Sequence, residues 1–317
     1  AWIIFIPLQI LWLPLSVLGV LWVAYKQIAR SKALGLSQTA VEIVNGRWTG
    51  HLFGLREDVA SYKLAGKLPN NSVLGLRVAL FPLFVAKLIA GKPILYPQLP
   101  DDAASGIANM VFSRSRRFDG LIEQYADQAQ QFVVLGAGLD ARAYGPLADR
   151  GLTLFELDQA ATQQAKRDAV ARAKLRRDHV HYIEVDFADP EWTGTLTASP
   201  FDWAKPTLFL WEGVTLYLSE ATVRATLSAI KAHAAPGSVI LADFYAHRML
   251  DMARKGAMAK TLEATGESMD FGFDFSVDAK EQLSAFVTST GLDLGPHFFL
   301  GASHKAGAYM VVAALEV

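Results

Sequence analysis

The sequence predicts an α/β fold: a mostly parallel sheet with helices on both faces, preceded by an apolar helical segment. Three observations predict it. From Gln131 onward, short apolar strands alternate with helical stretches, the pattern of a parallel sheet covered on both sides. The first of these strands ends in Gly136-Ala137-Gly138, where glycine lets the backbone turn tightly. The first 25 residues carry no charge.

The apolar segment reads AWIIFIPLQILWLPLSVLGVLWVAY from Ala1 to Tyr25. A helix rises about 1.5 Å per residue, so roughly 20 apolar residues cross a bilayer core. Trp2, Trp12, Trp22 and Tyr25 include rings suited to the membrane interfaces. Pro7 and Pro14 introduce kinks that membrane helices tolerate. Lys26, Arg30 and Lys32 follow at once and place the C-terminal side in the cytoplasm. The expectation is a single-pass membrane protein with its globular part cytoplasmic. A cleaved signal peptide is the first alternative, but no basic stretch precedes the run and no small-x-small site follows it. A buried core helix is the second, opposed by rings spread along an uncharged run.

Residues 31–71 are of mixed polarity and predict short helices with polar faces around SQTAVEIVNGRW and LREDVASYKLAGKLP. A second apolar run extends from Val73 to Pro97, interrupted by Arg77, Pro82 and Lys87. It predicts an interfacial or shallow re-entrant helix with Arg77 and Lys87 snorkelling to the headgroups. A soluble helix covering a pocket is the alternative, and both readings allow a lid that touches lipid.

The α/β part divides in order. Strands are expected at Gln131–Leu135, Thr153–Leu157, His181–Val185, Thr207–Trp211 and Ser238–Asp243. Helices are expected after the glycine turn and at Ala160–Leu175, Glu220–His233 and Val277–Ser289. Phe298–Leu300 and Ala308–Val312 can form a final antiparallel pair. Boundaries follow at 1–30 for the membrane anchor, 31–112 for a helical lid or membrane-interface region, and 113–317 for the α/β domain.

Composition removes several functions. Thirty basic and 31 acidic residues give a net charge of −1, so no global field favours nucleic acid. The chain has no cysteine, which excludes disulfides, thiolate metal sites and a cysteine nucleophile. Its seven histidines show no H-E-x-x-H spacing, so a catalytic metal is not expected.

The turn LGAGLDARAYG, Leu135 to Gly145, follows the first strand, and Asp158 lies 20 residues past Gly138 at the end of the next. A carboxylate there can accept both hydroxyls of an adenosine ribose. A structural turn with a solvated Asp158 is the bland alternative. Gly136, Gly138 and Ala141 also satisfy the dinucleotide pattern G-x-G-x-x-A, so spacing leaves an NAD-dependent oxidoreductase open.

Six motifs occur in order: FSRSRRFDGLIEQY, QFVVLGAGLDARAY, LFELDQA, VDFAD, LWEGVTLYLSEATV and PGSVILADF. Together they resemble the leucine carboxyl methyltransferase family and its bacterial methyltransferase relatives. SQTA at Ser37–Ala40 and TGESMDFGF at Thr265–Phe273 are similar to further pieces of the bacterial branch. The resemblance implies a class I, Rossmann-like methyltransferase fold, a mostly parallel seven-stranded sheet with an antiparallel last strand, and S-adenosylmethionine as cofactor. It implies that Arg114 holds the methionine carboxylate, a task suited to a guanidinium fork. It implies that the turn Gly136, Ala137 and Gly138 packs on the cofactor and that Asp158 takes the ribose. Asp186 and Phe187 correspond to the pair at the adenine, and Glu212 to an acid near the methionine amine. A helix cap is the plain reading of Glu212. The family often has a basic residue where this chain has Gln38; if that residue steadies the cofactor carboxylate, Arg114 must do more alone.

Methyl transfer from a sulfonium asks for alignment and exclusion of water. A hydroxyl acceptor also needs a base or a hydrogen-bond acceptor, and Tyr217, His51 and His247 are the candidates. Each has a structural reading: Tyr217 as a core aromatic, the histidines as surface residues. An anchored enzyme with an apolar lid suggests a hydrophobic small-molecule or lipid-like acceptor bearing a carboxylate or hydroxyl, with membrane lipid as neighbour and no nucleic acid. The run around Pro82 is expected not to span, because SQTA and Arg114 should face the same cofactor. A non-catalytic membrane scaffold with a relict cofactor fold is the third reading, opposed by the intact acids Asp158, Asp186 and Glu212.

Overall fold

Seven strands form one sheet in the computed structural model, which describes residues 1–189, 191–255 and 268–317. They are β1 (Gln131–Leu135), β2 (Thr153–Asp158), β3 (Val180–Glu184), β4 (Thr207–Trp211), β5 (Val239–Tyr245), β6 (Asp293–Leu300) and β7 (Met310–Glu316). Their spatial order is β3-β2-β1-β4-β5-β7-β6. The first five are parallel, and β7 runs antiparallel between β5 and β6. A dinucleotide-binding sheet has the order 3-2-1-4-5-6, without the inserted antiparallel strand. The topology is that of class I methyltransferases, as the family resemblance implied.

The central strands are continuous apolar runs because both faces are covered. On one face, Phe132, Val134, Leu208, Leu210 and Leu241 join a core that includes Val44 and Trp48 of α3 (Gln38–Phe53) and Phe118 of α6 (Met110–Tyr125). On the other, Val133, Leu135, Phe209, Trp211 and Ile240 pack with Val223, Leu227 and Ile230 of α9 (Glu220–His233) and with Leu283 and Phe286 of α11 (Ala279–Ser289). The alternation of neighbouring residues between two clusters is the period of two expected of a strand.

Several expected boundaries move. The final antiparallel pair is longer than its apolar ends suggest, because β6 is half-exposed along most of its length. The helix after β2 is α7 (Ala160–Arg172). The helix expected after the glycine turn is absent: residues 142–149 form two short 3-10 turns, Arg142–Tyr144 and Pro146–Asp149. The Asp140 carboxylate accepts from the Arg142 N–H at 2.7 Å, and Gly145-Pro146 then interrupts the chain, since proline supplies no N–H for a continuing helix.

At the N-terminus, α1 (Trp2–Tyr25) continues through a π-turn, Lys26–Arg30, into α2 (Ser31–Leu34). The short helix α4 (Val59–Ala65) is capped by Asp58, whose carboxylate accepts from the Ser61 N–H at 2.9 Å. The second apolar run is α5 (Val73–Ala90), with Ser72 as its N-cap. It does not lie flat over the sheet. It packs antiparallel along α1, with Gly19 against Gly75 and Trp12 against Phe81. A Cβ on Gly19 would sit 2.7 Å from the Gly75 carbonyl oxygen, so small residues set this close approach. Pro82 has no N–H to give the Val78 carbonyl, and the Trp12 indole N–H donates to that oxygen instead at 2.9 Å. The Ser16 hydroxyl donates to the next carbonyl, Ala79, at 3.2 Å. Both α1–α2 and α5 are long and apolar enough to cross a membrane, and each is mostly uncovered. Of the two cations expected to snorkel, Arg77 donates to the Tyr62 hydroxyl at 2.8 Å and Lys87 lies 5.8 Å over the Phe84 ring.

Candidate active site

The parallel strands end on one edge of the sheet, and their last residues line one cavity of about 610 Å³. Ligands of α/β sheets bind at this carboxyl edge. Gly136 and Gly138 come from the end of β1, Asp158 from β2, Asp186 and Phe187 from β3, Glu212 from β4 and Tyr245 from β5. Helices α3 and α6 close the cavity from above with Thr39, Ala40, Glu42, Arg47, Met110 and Arg114. The α5 helix contributes no lining residue, so the cover expected there is supplied by α3 and α6 instead.

The glycine turn is held from below. Gly136 and Gly138 have φ of +66° and +44°, which other residues adopt only with strain. A Cβ on Gly136 would meet the Val214 side chain at 2.5 Å, whereas one on Gly138 would find nothing nearer than 3.7 Å. The Lys166 ammonium, 1% exposed, lies 2.8 Å from Glu156 and donates to the Ala137 carbonyl at 3.3 Å. The Tyr144 hydroxyl donates to Glu156 at 2.9 Å. The Asp158 carboxylate accepts from the Gly138 N–H at 2.5 Å and from the Gln159 N–H at 2.7 Å. Burial pushes its pKa up, partly opposed by those two N–H groups. Asp186 is exposed, and Phe187 packs edge-on against Trp192 with ring centroids 5.4 Å apart.

The opposite end of the cavity is a buried charge network. Glu212, 5% exposed, lies 3.0 Å from Arg47, 2.6 Å from Arg142 and 3.1 Å from Arg114. Burial pushes the Glu212 pKa up, and Arg142, Arg47 and Arg114 together overcome it and hold the group down at about 2. Arg47 also pairs with Asp140 at 2.8 Å, and Arg142 pairs with Asp140 as well. Arg114 donates to the Tyr245 hydroxyl at 2.6 Å and lies 3.5 Å from Asp243. Asp243 accepts from the Tyr245 hydroxyl and from the Gly213 N–H, both at 2.9 Å. Burial pushes Asp243 up to about 6 against the pull of Arg114.

The expected cofactor residues Arg114, Gly136, Ala137, Gly138, Asp158, Asp186, Phe187 and Glu212 all line this one cavity. The candidate bases divide. Tyr217 lines it, its hydroxyl donating to Thr39 at 2.9 Å. His51 does not: its ring packs against Tyr62, and its Nδ1 accepts from the Asp58 N–H at 3.1 Å. His247 lies exposed at the start of α10 (His247–Ala253), outside the cavity. Met269 of TGESMDFGF lines the cavity, while Thr265 to Glu267 lie outside the described residues. Gln38 is buried, and its amide donates to Glu42 at 3.1 Å. The cation that the sequence reading missed is Arg47, nine residues further along α3. Asp140, Arg142, Asp243 and Tyr245 were missed too, although Asp140, Arg142 and Asp243 lie inside quoted motifs. No cluster of metal-ligating side chains occurs among the described residues.

The site suits an S-adenosyl nucleoside carrying an amino-acid tail. Near the charge network, Arg114 Nε and Arg47 Nε are buried without hydrogen-bond partners, and Glu212 Oε1 has only the Arg114 guanidinium, 3.1 Å away, beside it. These are unfilled donors and a part-filled acceptor for a carboxylate and an ammonium. The short 3-10 turns after the glycines offer no helix N-terminus for a pyrophosphate, which a dinucleotide requires.

Comparison with known proteins finds the same resemblance over part of the chain. Residues 96–231 match the family model of leucine carboxyl methyltransferase. A protein of Mycolicibacterium paratuberculosis (strain ATCC BAA-968 / K-10) named "Putative S-adenosyl-L-methionine-dependent methyltransferase" is 33% identical over 214 residues, 65% of this chain and 61% of its own length. One of Streptomyces avermitilis with the same description is 36% identical over 150 residues, covering 45% of this chain and 52% of the relative. The chain thus spans about three-fifths of the length of the first of these relatives. Among solved structures, magnesium protoporphyrin IX methyltransferase from Synechocystis PCC 6803 aligns over 66% of this chain and 85% of its own at 10% identity, with a TM-score of 0.42.

Proposed function

We propose that this chain, whose residues 96–231 carry the leucine carboxyl methyltransferase pattern, is a membrane-associated S-adenosylmethionine-dependent O-methyltransferase acting on a hydrophobic small molecule. One observation carries the reading: Arg114 and Asp158, suited to the carboxylate and the ribose of a nucleoside with an amino-acid tail, line a single cavity. Asp158 would take the ribose hydroxyls, Asp186 and Phe187 the adenine, and Arg114 the methionine carboxylate. Glu212 would face the ammonium. The cofactor supplies an electrophilic methyl on a good leaving group. The protein's own part is to align an acceptor oxygen with that methyl and to exclude water, which α3 and α6 do by roofing the cavity.

Membrane association rests on exposed apolar surface. On α1, Ile3 is 89% and Leu11 80% exposed, and on α5 Leu74 is 72% exposed, a continuous patch of the kind that marks a lipid or protein contact. Both flanks of α5 return to one packed body. The Asn71 amide donates to Asn45 of α3 at 2.7 Å, and Asp102 pairs with Arg116 and Arg117 of α6 at 2.8 and 2.6 Å. A body held this way sits on one side of a bilayer, so α5 enters and residues 91–101 come back. Because the chain has no cysteine, single cysteines placed at Asn70 and Asp101 can be labelled with an impermeant maleimide. Labelling from opposite sides of sealed vesicles refutes the arrangement.

Calorimetry of the detergent-solubilised protein with S-adenosylmethionine, its demethylated product and NAD tests the activity. Binding of the first two and not of NAD is expected. Binding of NAD alone, or of none, overturns the proposal.

A further inference from the structure

A second cavity, about 350 Å³, lies beside the first between α1, α3, α5 and α6. The two share Glu42 and Val111 in their walls, so these residues form the boundary where one space meets the other. The outer wall is apolar: Val20, Val23 and Ala24 of α1 face Leu76, Ala79 and Leu80 of α5. The inner wall is one stripe of α3, Glu42, Asn45, Gly46 and Thr49, spaced i, i+3, i+4, i+7 on a single helix face. Gln27, in the π-turn of the first helix, adds a polar group nearby, and such turns often mark functional sites. Asn45 is 7% exposed; its Oδ1 accepts from Asn71, but its Nδ2 has no hydrogen-bond partner.

We propose that this second cavity is the acceptor site, and that it takes a single-chain amphiphilic alcohol whose tail enters from the bilayer between α1 and α5. The inference rests on the methyltransferase reading above and names its substrate class. An unfilled donor, Asn45 Nδ2, and an acceptor, the Glu42 carboxylate, stand three residues apart on one face of α3. A hydroxyl both accepts and donates, so it satisfies the pair. A carboxylate head would meet Glu42 as a like charge. Beyond the head, the walls between α1 and α5 are aliphatic up to Val20, which is 56% exposed on the surface of α1, with Tyr96 and Phe112 adding aromatic surface, so the cavity's outer end borders the face that the membrane covers. At about 30 Å³ for each water-sized group, the cavity of about 350 Å³ holds roughly twelve heavy atoms at most, a hydroxyl and a tail of about ten carbons.

In the transfer, a lone pair of the hydroxyl oxygen forms the new O–CH₃ bond. The S–CH₃ bond breaks with its electron pair left on sulfur, which becomes a neutral thioether. The hydroxyl proton passes to a Glu42 carboxylate oxygen.

The test uses the whole protein in phosphatidylcholine nanodiscs and saturated primary alcohols of six to fourteen carbons. Binding is read by native mass spectrometry without cofactor, and transfer by labelled methyl from S-adenosylmethionine. Referred to the free alcohol in the aqueous phase, each methylene that leaves water is worth about fourfold in affinity, so affinity on that scale should climb steeply and level off near ten carbons. Ala79→Phe and Ala24→Phe, from opposite walls, should move that plateau to shorter chains and leave S-adenosylmethionine affinity unchanged. Glu42→Gln should retain alcohol binding and lose transfer at neutral pH. Affinity that ignores chain length, or a plateau that neither phenylalanine moves, overturns the acceptor site. Loss of S-adenosylmethionine binding in the parent protein with the chain-length series intact would instead strike the methyltransferase reading and leave the amphiphile site standing.

Discussion

Replacing Glu212 by glutamine tests whether the charge network holds the site together. The amide keeps the shape and removes the charge. Arg47 then keeps only Asp140, Arg114 keeps Asp243 and Tyr245, and Arg142 keeps Asp140 and Asp119. Glu212 is fully buried and its pKa is held at about 2 against an ordinary 4.5, which corresponds to ~3 kcal/mol at about 1.4 kcal/mol per unit. Breaking a buried pair by removing one partner independently suggests ~3–5 kcal/mol. At 2–4 °C per kcal/mol for a domain somewhat smaller than this one, Glu212→Gln should lower Tm by about 6–12 °C at pH 7. The sign with pH follows from the depressed pKa. The stabilisation is complete above the unfolded value and is lost as pH falls through the folded one, so the gap should shrink by about 1.4 kcal/mol per unit below pH 4.5. Thermal unfolding of both proteins in one detergent, at pH 7 and pH 3.5, measures it. A Tm change under 2 °C at pH 7, or a gap that widens on acidification, would refute the reasoning.

Other perturbations address separate links. Asp158→Asn should weaken S-adenosylmethionine binding about tenfold to a hundredfold, the value of one hydrogen bond to a charged group; because the asparagine NH2 must face the Gly138 or Gln159 N–H, a fall in Tm should accompany it, and calorimetry reads both cofactor and product. Asp243 titrates in the opposite sense to Glu212. Its folded pKa of about 6 lies above the ordinary 3.8, so its contribution is present at low pH and lost as pH rises through 6, and Asp243→Asn should flatten the fall in Tm between pH 4 and pH 7. Trp12→Phe leaves the Val78 carbonyl unpartnered and should cost ~1–3 kcal/mol. In a Pro82→Ala background residue 82 regains its N–H, and the same change should cost at least 0.5 kcal/mol less, a coupling that a double-mutant cycle measures.

The strands were legible because a buried parallel sheet writes itself as short apolar runs, and Asp158 because the end of β2 is one strand away from the glycine turn. The polar residues of α3 were not. Gln38, Asn45, Arg47 and Thr49 read as a solvated face, yet all four are buried, and Asn45, Arg47 and Thr49 border cavities rather than water. Periodicity reports where apolar residues cluster; it does not distinguish a face turned to solvent from one turned to a polar pocket. The missing helix after the glycine turn has a similar cause. Ala141 to Tyr144 has helix-forming residues, but Asp140 draws Arg142 into the ion network, and Gly145-Pro146 stops a helix there. The pairing of α5 with α1 depended on Gly19 meeting Gly75 across 56 residues, a contact that no local pattern carries.

The absent basic residue at Gln38 now has a structural counterpart. A cation in the first turn of α3 would stand beside Glu42, to which the Gln38 amide donates, and would add an ion pair to the partners this carboxylate already has. The positive charge enters instead at Arg47, from the same helix but on its other side, where it meets Asp140 and Glu212. Helix α3 thereby separates two chemistries. Ala40, Ile43, Val44 and Arg47 line the cofactor side, and Asn45, Gly46 and Thr49 line the second cavity. Only Glu42 lines both, together with Val111 from α6. A helix with both long faces turned inward has no face left for water, which is why α3 shows no amphipathic stripe. A mutation that restores a lysine at position 38 should then leave cofactor affinity nearly intact while lowering transfer to the acceptor, a split that separate binding and turnover measurements resolve.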